Sequence, residues 1–346
     1  MNANYDFNRV ALEIKQLGQT MGFAQIGIAD VTLKQEATYL KKWLRADLHG
    51  KMTYLEKHYN LREQPQTLVA NTKRIICCRL DYPKSPINHP VAAFAQIQDY
   101  TTHSSQLLKK YAAEITAQII HTKFRVFSGN APILEKALAA KAGIGWYGKN
   151  TMLINNVAGS YFFLGEIFTS LPLPTDKPLA NHCGNCSQCQ VQCPTQAIIA
   201  PYKLDANKCI AYLTIEYTGT IPLALRPFIG TKIFGCDICQ QACPWNHLPK
   251  NKTTTFTPLL PFREADLVTW FLWSEQEFLA KTQNSPIRRI GYERWLRNLA
   301  IALGNAATTP TNLQALQARQ NHSSALVQEH VHWALERKLG AGRNKC

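Results

Sequence analysis

Eight of the eleven cysteines sit at spacings that leave the middle of this chain little freedom. Cys183, Cys186, Cys189 and Cys193 form one run ending on Pro194, Cys236, Cys239 and Cys243 form a second ending on Pro244, and Cys209 lies between them. In the first run's spacing, three cysteines hold one [4Fe–4S] cube while the cysteine before proline crosses to another. Four thiolates per cube and eight cysteines make two clusters with none spare. The crossing rule assigns Cys183, Cys186, Cys189 and Cys243 to the first cluster. Cys193, Cys236 and Cys239 then belong to the second, and Cys209 completes it because the second run lacks a third closely spaced cysteine. Pro194 and Pro244 turn the chain away after each crossing ligand, since proline lacks an N–H and holds its predecessor extended.

Paired Cys-x2-Cys units also build zinc sites. Zinc accounts neither for two Cys-Pro ends nor for three cysteines in an x2-x2 series. A disulfide framework fits less well, because eleven is odd and the chain is long. The passage 179–250 is therefore expected to be a ferredoxin-like unit carrying both clusters.

At 346 residues the chain can bury a large core, and its length predicts two or three domains. No stretch approaches the roughly 20 apolar residues needed to cross a bilayer. The first residues, Met1 to Asp6, have neither a basic n-region nor a twin-arginine pair. With two thiolate-held clusters, this predicts a reducing, cytoplasmic setting. The 38 Lys and Arg against 23 Asp and Glu leave +15, a field that favours polyanions, nucleic acid above all. From Pro286 to Cys346 nine basic residues face three acidic ones, spread along helical segments and not gathered in a tail.

Periodicity predicts a helix carrying Phe7, Val10, Ala11, Ile14, Leu17 and Met21, then a strand at 24–29. Residues 74–80 read as a buried central strand that points Cys77 and Cys78 to opposite faces. A helix over 99–121, a strand near 124–127, a helix over 131–142 opened by Pro132 and closed by Gly143, and a strand over 161–168 follow. These elements make 1–178 an α/β (α+β) domain that ends in a proline-rich linker at 171–178. A helical unit fills 251–346. There Arg297 to Gly304 aligns with Glu329 to Glu336, 32 residues later, as in a stacked HEAT-like helical pair.

Two motifs fail. Gly143-Ile144-Gly145-Trp146-Tyr147-Gly148-Lys149 has the glycines of a phosphate loop, but a helix precedes it where a strand is needed, and Asn150 replaces the Ser or Thr that would hold Mg²⁺. These glycines are expected to let the backbone approach a flat ligand. Asp47-Leu48-His49-Gly50 starts the D-x-H-x-x-G motif that supplies an axial histidine to cobalamin, but Met52 stands where its glycine belongs.

The chain nevertheless resembles the epoxyqueuosine reductase family, cobalamin-dependent enzymes that finish queuosine in tRNA. The likeness rests on His49-Gly50-Lys51-Met52-x-Tyr54-Leu55, Ala131-Pro132-Ile133-Leu134-Glu135-Lys136-Ala137-Leu138-Ala139 and Ala142-Gly143-Ile144-Gly145-Trp146-x-Gly148-Lys149-Asn150. It continues through both cysteine runs, Cys209 to Glu216 and the basic helical tail, and so covers nearly the whole chain. The resemblance implies a cobalamin-binding domain similar to reductive dehalogenases, with a nitroreductase-like core. The corrinoid would touch Met52, the Asn150 to Leu153 loop, Leu164, Ala211 and the Cys236-Asp237 pair. The implied reaction removes an epoxide oxygen, leaving a cyclopentene, with single electrons supplied through the clusters by a cytoplasmic donor. The substrate would lie in an anticodon loop, with Arg288, Arg289, Arg294 and Arg297 on its phosphates. By the same resemblance the protein is a monomer.

One departure matters. The family has an aspartate, resembling a general acid, in a V-D-S/T-A-P-type segment, and this chain reads Ser128-Gly129-Asn130-Ala131-Pro132. Gly129 donates no side-chain proton, leaving Asp99, Tyr100 or an ordered water as candidate donors. Two other readings share the cysteines. One is a dehalogenase-like reductase of small molecules, and the other a two-cluster electron carrier or RNA-binding module without catalysis.

Overall fold

A computed structural model describes residues 5–98, 100–129, 131–247, 256–262 and 264–340. Its organising element is a four-stranded antiparallel sheet in the order β1-β2-β6-β3: β1 is Gln25–Asp30, β2 Arg74–Asp81, β3 Phe124–Phe127 and β6 Phe162–Thr169. Two short strands between them, β4 (Trp146–Tyr147) and β5 (Leu153–Ile154), pair only with each other. The β-branched and aromatic runs of β2 and β6 suit the two interior positions, where both faces are covered.

Strand alternation sorts the side chains into two cores. Ile76, Cys78, Leu80 and Ile167 face the helices Phe7–Thr20 and Tyr100–Gln118. Ile75, Cys77, Phe162 and Phe168 face the helix Glu135–Lys141. Cys77 and Cys78 are fully buried on opposite faces, as the strand period requires. The first helix begins where Asp6 accepts N–H bonds from Asn8 (3.0 Å) and Arg9 (3.4 Å). It buries Val10, Ala11, Ile14 and Gly18 on one face.

The helix expected from Pro132 starts only at Glu135. Ala131 and Ile133 close a tight turn first (N···O 2.8 Å), and Glu135 turns its carboxyl back to the Gly129 N–H. The glycine-rich segment after this helix serves the chain's own packing, contrary to the flat-ligand expectation. A Cβ at Gly145 would lie 2.4 Å from Ile154 O, and one at Gly148 2.4 Å from Ile154 Cδ1.

The C-terminal helices Leu267–Leu272, Gly291–Asn305, Pro310–Gln317 and Ala325–Gly340 bury Trp270, Trp295, Leu299, Leu303, Leu316 and Val331. Val91, Ile233 and Phe234 join the same core, tying these helices to the earlier chain. The 32-residue echo falls on Gly291–Asn305 and Ala325–Gly340, which pack together with Gly304 against Trp333 and Ala334. Among the described residues no helix is long and apolar enough to cross a membrane.

Candidate iron–sulfur centres and reductive cleft

The eight cysteines come together in two groups. Burial, then the charges of Cys243, Cys183 and Cys186, push the Cys189 thiol up. Cys243 is likewise raised by burial and by Cys183 and Cys186. These four line one pocket with Lys149, Asn150, Ile154, His182, Pro244 and Trp245. Lys149 fixes the loop by donating to Gly184 O (2.6 Å) and Cys186 O (2.8 Å).

In the second group, burial pushes Cys236 up to about 12, with Cys209 adding to it. Cys239 rises well above the usual thiol range, first through burial and then through Cys236, Cys209 and Cys193. Cys209 is raised by burial and by Cys193. Thiolates packed this closely require a positive centre to hold them ionised. Among the described residues no three such donors meet at one ion-sized point.

Of the residues expected around a corrinoid, Asn150, Met52, Ala211 and Asp237 lie at the second group. Asn150 is buried, donates to Cys239 O (3.2 Å) and accepts from Met152 N (3.2 Å). Leu153 and Leu164 pack in the core under the Glu135–Lys141 helix. Met52 packs with Cys209, Tyr212 and Cys236, on the helix Ile210–Ile215 that carries Ala211. The buried Asp237 accepts from Ala93 N (2.7 Å) and Ser85 Oγ (3.2 Å), and burial raises its pKa. His49 is buried with Nε2 3.2 Å from Glu56, so it serves a local contact.

Gly129 follows the edge strand β3 with φ +72, a region costly for side chains with a Cβ. A Cβ there would stand 3.5 Å from Tyr100 Oη, whose ring stacks on Phe163 at 3.9 Å and 6°. Asp99 lies outside the described residues. Three charged residues that the sequence reading missed surround this point. Glu135 accepts the Gly129 N–H at 2.9 Å, and Lys136 donates to Thr151 O at 2.8 Å. Burial pushes the Lys136 pKa down although its side chain meets solvent. Glu166 is fully buried on β6, on the face that carries Leu164 and Phe168. A carboxylate at an inward position of a strand was the available signal for it.

The four arginines divide. Arg288 and Arg289 are exposed, Arg289 pairing with Glu216 at 2.9 Å. Arg294 is half-buried and donates to the Ile290, Ile215 and Arg289 carbonyls. Arg297 is fully buried, its guanidinium spent on protein acceptors, so the expectation that it meets phosphate is corrected.

Comparison with known proteins accounts for this arrangement. The family model described as epoxyqueuosine reductase QueG, DUF1730, matches residues 62–128. An epoxyqueuosine reductase of Pseudomonas aeruginosa is 48% identical over 341 residues, covering 95% of this chain and 94% of that protein. The chain belongs to the epoxyqueuosine reductase family. A 4Fe-4S double cluster binding domain model matches residues 182–246, which contain all eight cysteines of the two groups. The structure of epoxyqueuosine reductase from Streptococcus thermophilus is similar, with a TM-score of 0.84 at 26% identity, covering 96% of this chain and 91% of that one. A further epoxyqueuosine reductase, with a TM-score of 0.81 at 23% identity and covering 99% and 95%, was solved with an epoxyqueuosine-modified tRNA-Tyr stem loop. The resemblance read from the sequence motifs is thereby borne out, and so is the double-cluster assignment of this region.

Proposed function

We propose that this chain reduces epoxyqueuosine to queuosine in the anticodon loop of tRNA, using two [4Fe–4S] clusters and cobalamin. The observation that carries this reading is the pair of thiolate groups beside the cleft, in a chain 48% identical to an epoxyqueuosine reductase. Cys183, Cys186, Cys189 and Cys243 hold the first cluster, and Cys193, Cys209, Cys236 and Cys239 the second. Cys186 is exposed at the first group, so electrons from a cytoplasmic one-electron donor enter at the first cluster and leave from the second.

The residues assigned to the corrinoid offer an apolar face and a polar fringe. Leu153, Leu164, Met52 and Ala211 supply apolar contacts, Asn150 and Asp237 polar ones, and Cys236 adjoins them. Among the described residues Ser128 Oγ is buried without a hydrogen-bond partner, and Lys136 keeps donors beyond its bond to Thr151. Bound cobalamin supplies low-valent cobalt for carbon–oxygen cleavage. The protein's part is to exclude water, hold the unstacked base and supply protons to the departing oxygen.

Arg288 and Arg289 are the phosphate contacts this reading retains. The division into a cobalamin-binding unit with a dehalogenase-like and nitroreductase-like core (1–178), a cluster unit (179–250) and a helical HEAT-like tRNA-binding unit (251–346) belongs to the same reading, as does a cytoplasmic monomer. The test is anaerobic turnover of an epoxyqueuosine-containing anticodon stem–loop, with and without added cobalamin. Queuosine formed only with cobalamin is the expected result. Binding without product in fully loaded protein would overturn it in favour of a non-catalytic module.

A further inference from the structure

Glu166 has no accessible surface, and among the described residues neither of its oxygens meets a hydrogen-bond donor. The neighbouring group that acts on it is the carboxyl of Glu135, at the start of the helix Glu135–Lys141 packed against this face of the sheet. Two ionised carboxylates so placed, one fully dry, repel each other and lack hydration, so the arrangement requires one proton between them. Burial, then the Glu135 charge, drives Glu166 well above the carboxylate range. Glu135 is also raised by burial, but the Gly129 N–H and the Lys136 charge favour its ionised form. The proton therefore resides on Glu166 and is donated toward Glu135.

Among the described residues, the charged groups around the pair other than Lys136 are neutral or engaged elsewhere. Cys77 of β2, opposite Glu166, is held as a neutral thiol by burial. Arg79 of β2 is engaged by Asp81 (3.1 Å) and Gln25 (2.7 Å), and Arg125 of β3 lies over the Phe127 ring. Glu135 is half-buried next to the exposed Lys136, whereas Glu166 has no accessible surface.

We propose that Glu135 and Glu166 form a proton store and that Glu135 passes its proton, past the side-chain-free Gly129, to the oxygen leaving the epoxide. This use rests on the reductase reading. For each oxirane, both carbon–oxygen bonds break and a carbon–carbon double bond forms. An external one-electron reductant supplies two electrons in turn through the clusters, and the oxygen leaves as water with one proton from the pair and one from solvent. The doubly ionised pair left behind is unstable and reloads through the half-buried Glu135.

The experiment uses the full cluster- and cobalamin-loaded chain and the variants Glu135→Gln and Glu166→Gln. Infrared difference spectra at pH 7 should show a protonated carboxylic acid in the wild type, absent from Glu166→Gln, and also present before cobalamin is added. Single-turnover reduction of the modified stem–loop should fall about 100-fold in Glu135→Gln, within the usual range for a general acid. A fall in rate at alkaline pH is expected in the wild type and should disappear in the same variant. Gly129→Asp placed in the Glu135→Gln background should restore at least about a tenth of the lost rate, since Asp tolerates positive φ better than most residues. An absent acid band, or identical pH profiles for wild type and Glu135→Gln, would overturn the proposal. An inactive wild type that keeps the band would instead overturn the reductase reading.

Discussion

Replacing Arg297 by Met removes a guanidinium that is fully buried and whose five N–H groups are all taken. Its acceptors are Leu213 O (2.8 Å), Tyr217 O (2.8 Å), Gly219 O (2.8 Å) and Asn298 Oδ1 (3.0 and 2.9 Å). Burial lowers its pKa to about 9, so it stays charged at neutral pH. Each buried acceptor left without a donor costs about 1–3 kcal/mol. Met fills part of the volume and removes a buried charge, which places the net loss near the lower end, about 3–4 kcal/mol. Arg297→Lys keeps the charge-burial cost but reaches fewer acceptors, so it should be no more stable than the Met variant. Anaerobic urea unfolding followed by tryptophan emission reads this directly. Trp295, two residues away, is fully buried and stacks on Trp273 at 5.8 Å. A Lys variant within about 1 kcal/mol of wild type, or a neutral Met variant, would refute the idea that this arginine binds the helical unit to the Leu213–Gly219 segment.

Cys209→Ser should lower iron from about eight to about four per chain and remove the signal of one cluster while sparing the other. Metal analysis and low-temperature magnetic resonance check this, and unchanged iron would reassign the second cluster's fourth ligand. Glu166→Gln should alter the pH dependence of stability. A carboxyl raised in the fold contributes stability that is complete below its unfolded pKa and lost as pH rises through its folded value. The variant should therefore match the wild type at acid pH and exceed it at alkaline pH, as read from unfolding midpoints, and parallel curves would reject the assignment. Arg288→Glu with Arg289→Glu should weaken stem–loop binding and flatten the dependence of log affinity on log salt by roughly 1.4 or more, the loss expected for two phosphate contacts on single-stranded RNA. An unchanged slope would move the RNA footprint elsewhere.

The cluster cysteines were legible because ligand geometry is written into short chain intervals. An x2 or x3 spacing brings sulfurs together whatever the rest of the fold does, and counting alone nominates Cys209 as the remaining ligand. Cys77 and Cys78 were legible for a similar reason, since strand period alone separates them. The start of the helix at Glu135 was not, because a side chain reaching back to Gly129 decides it. Nor was the fate of Arg297. Net charge counts guanidinium groups without saying which ones face carbonyl oxygens, so a field of +15 overstates the surface available to a polyanion. The glycines before Asn150 were misread by the same kind of error: their close partner is the chain itself at Ile154.

The departure at position 129 and the buried carboxyl pair belong to one arrangement. At φ +72 a glycine holds this turn without strain, whereas most side chains would cost on the order of 1 kcal/mol or more there. That conformation aims the Gly129 N–H at Glu135, and a donor on Glu135 lowers its affinity for the proton relative to Glu166. The glycine that holds this turn is thus also the residue whose backbone biases where the proton of the pair sits. Lys136, next along the helix and open to solvent, strengthens the same bias from the other side. A substitution that straightened the turn while leaving both glutamates in place would be expected to raise the proton affinity of Glu135, and an infrared shift of the carboxylic acid band would report it.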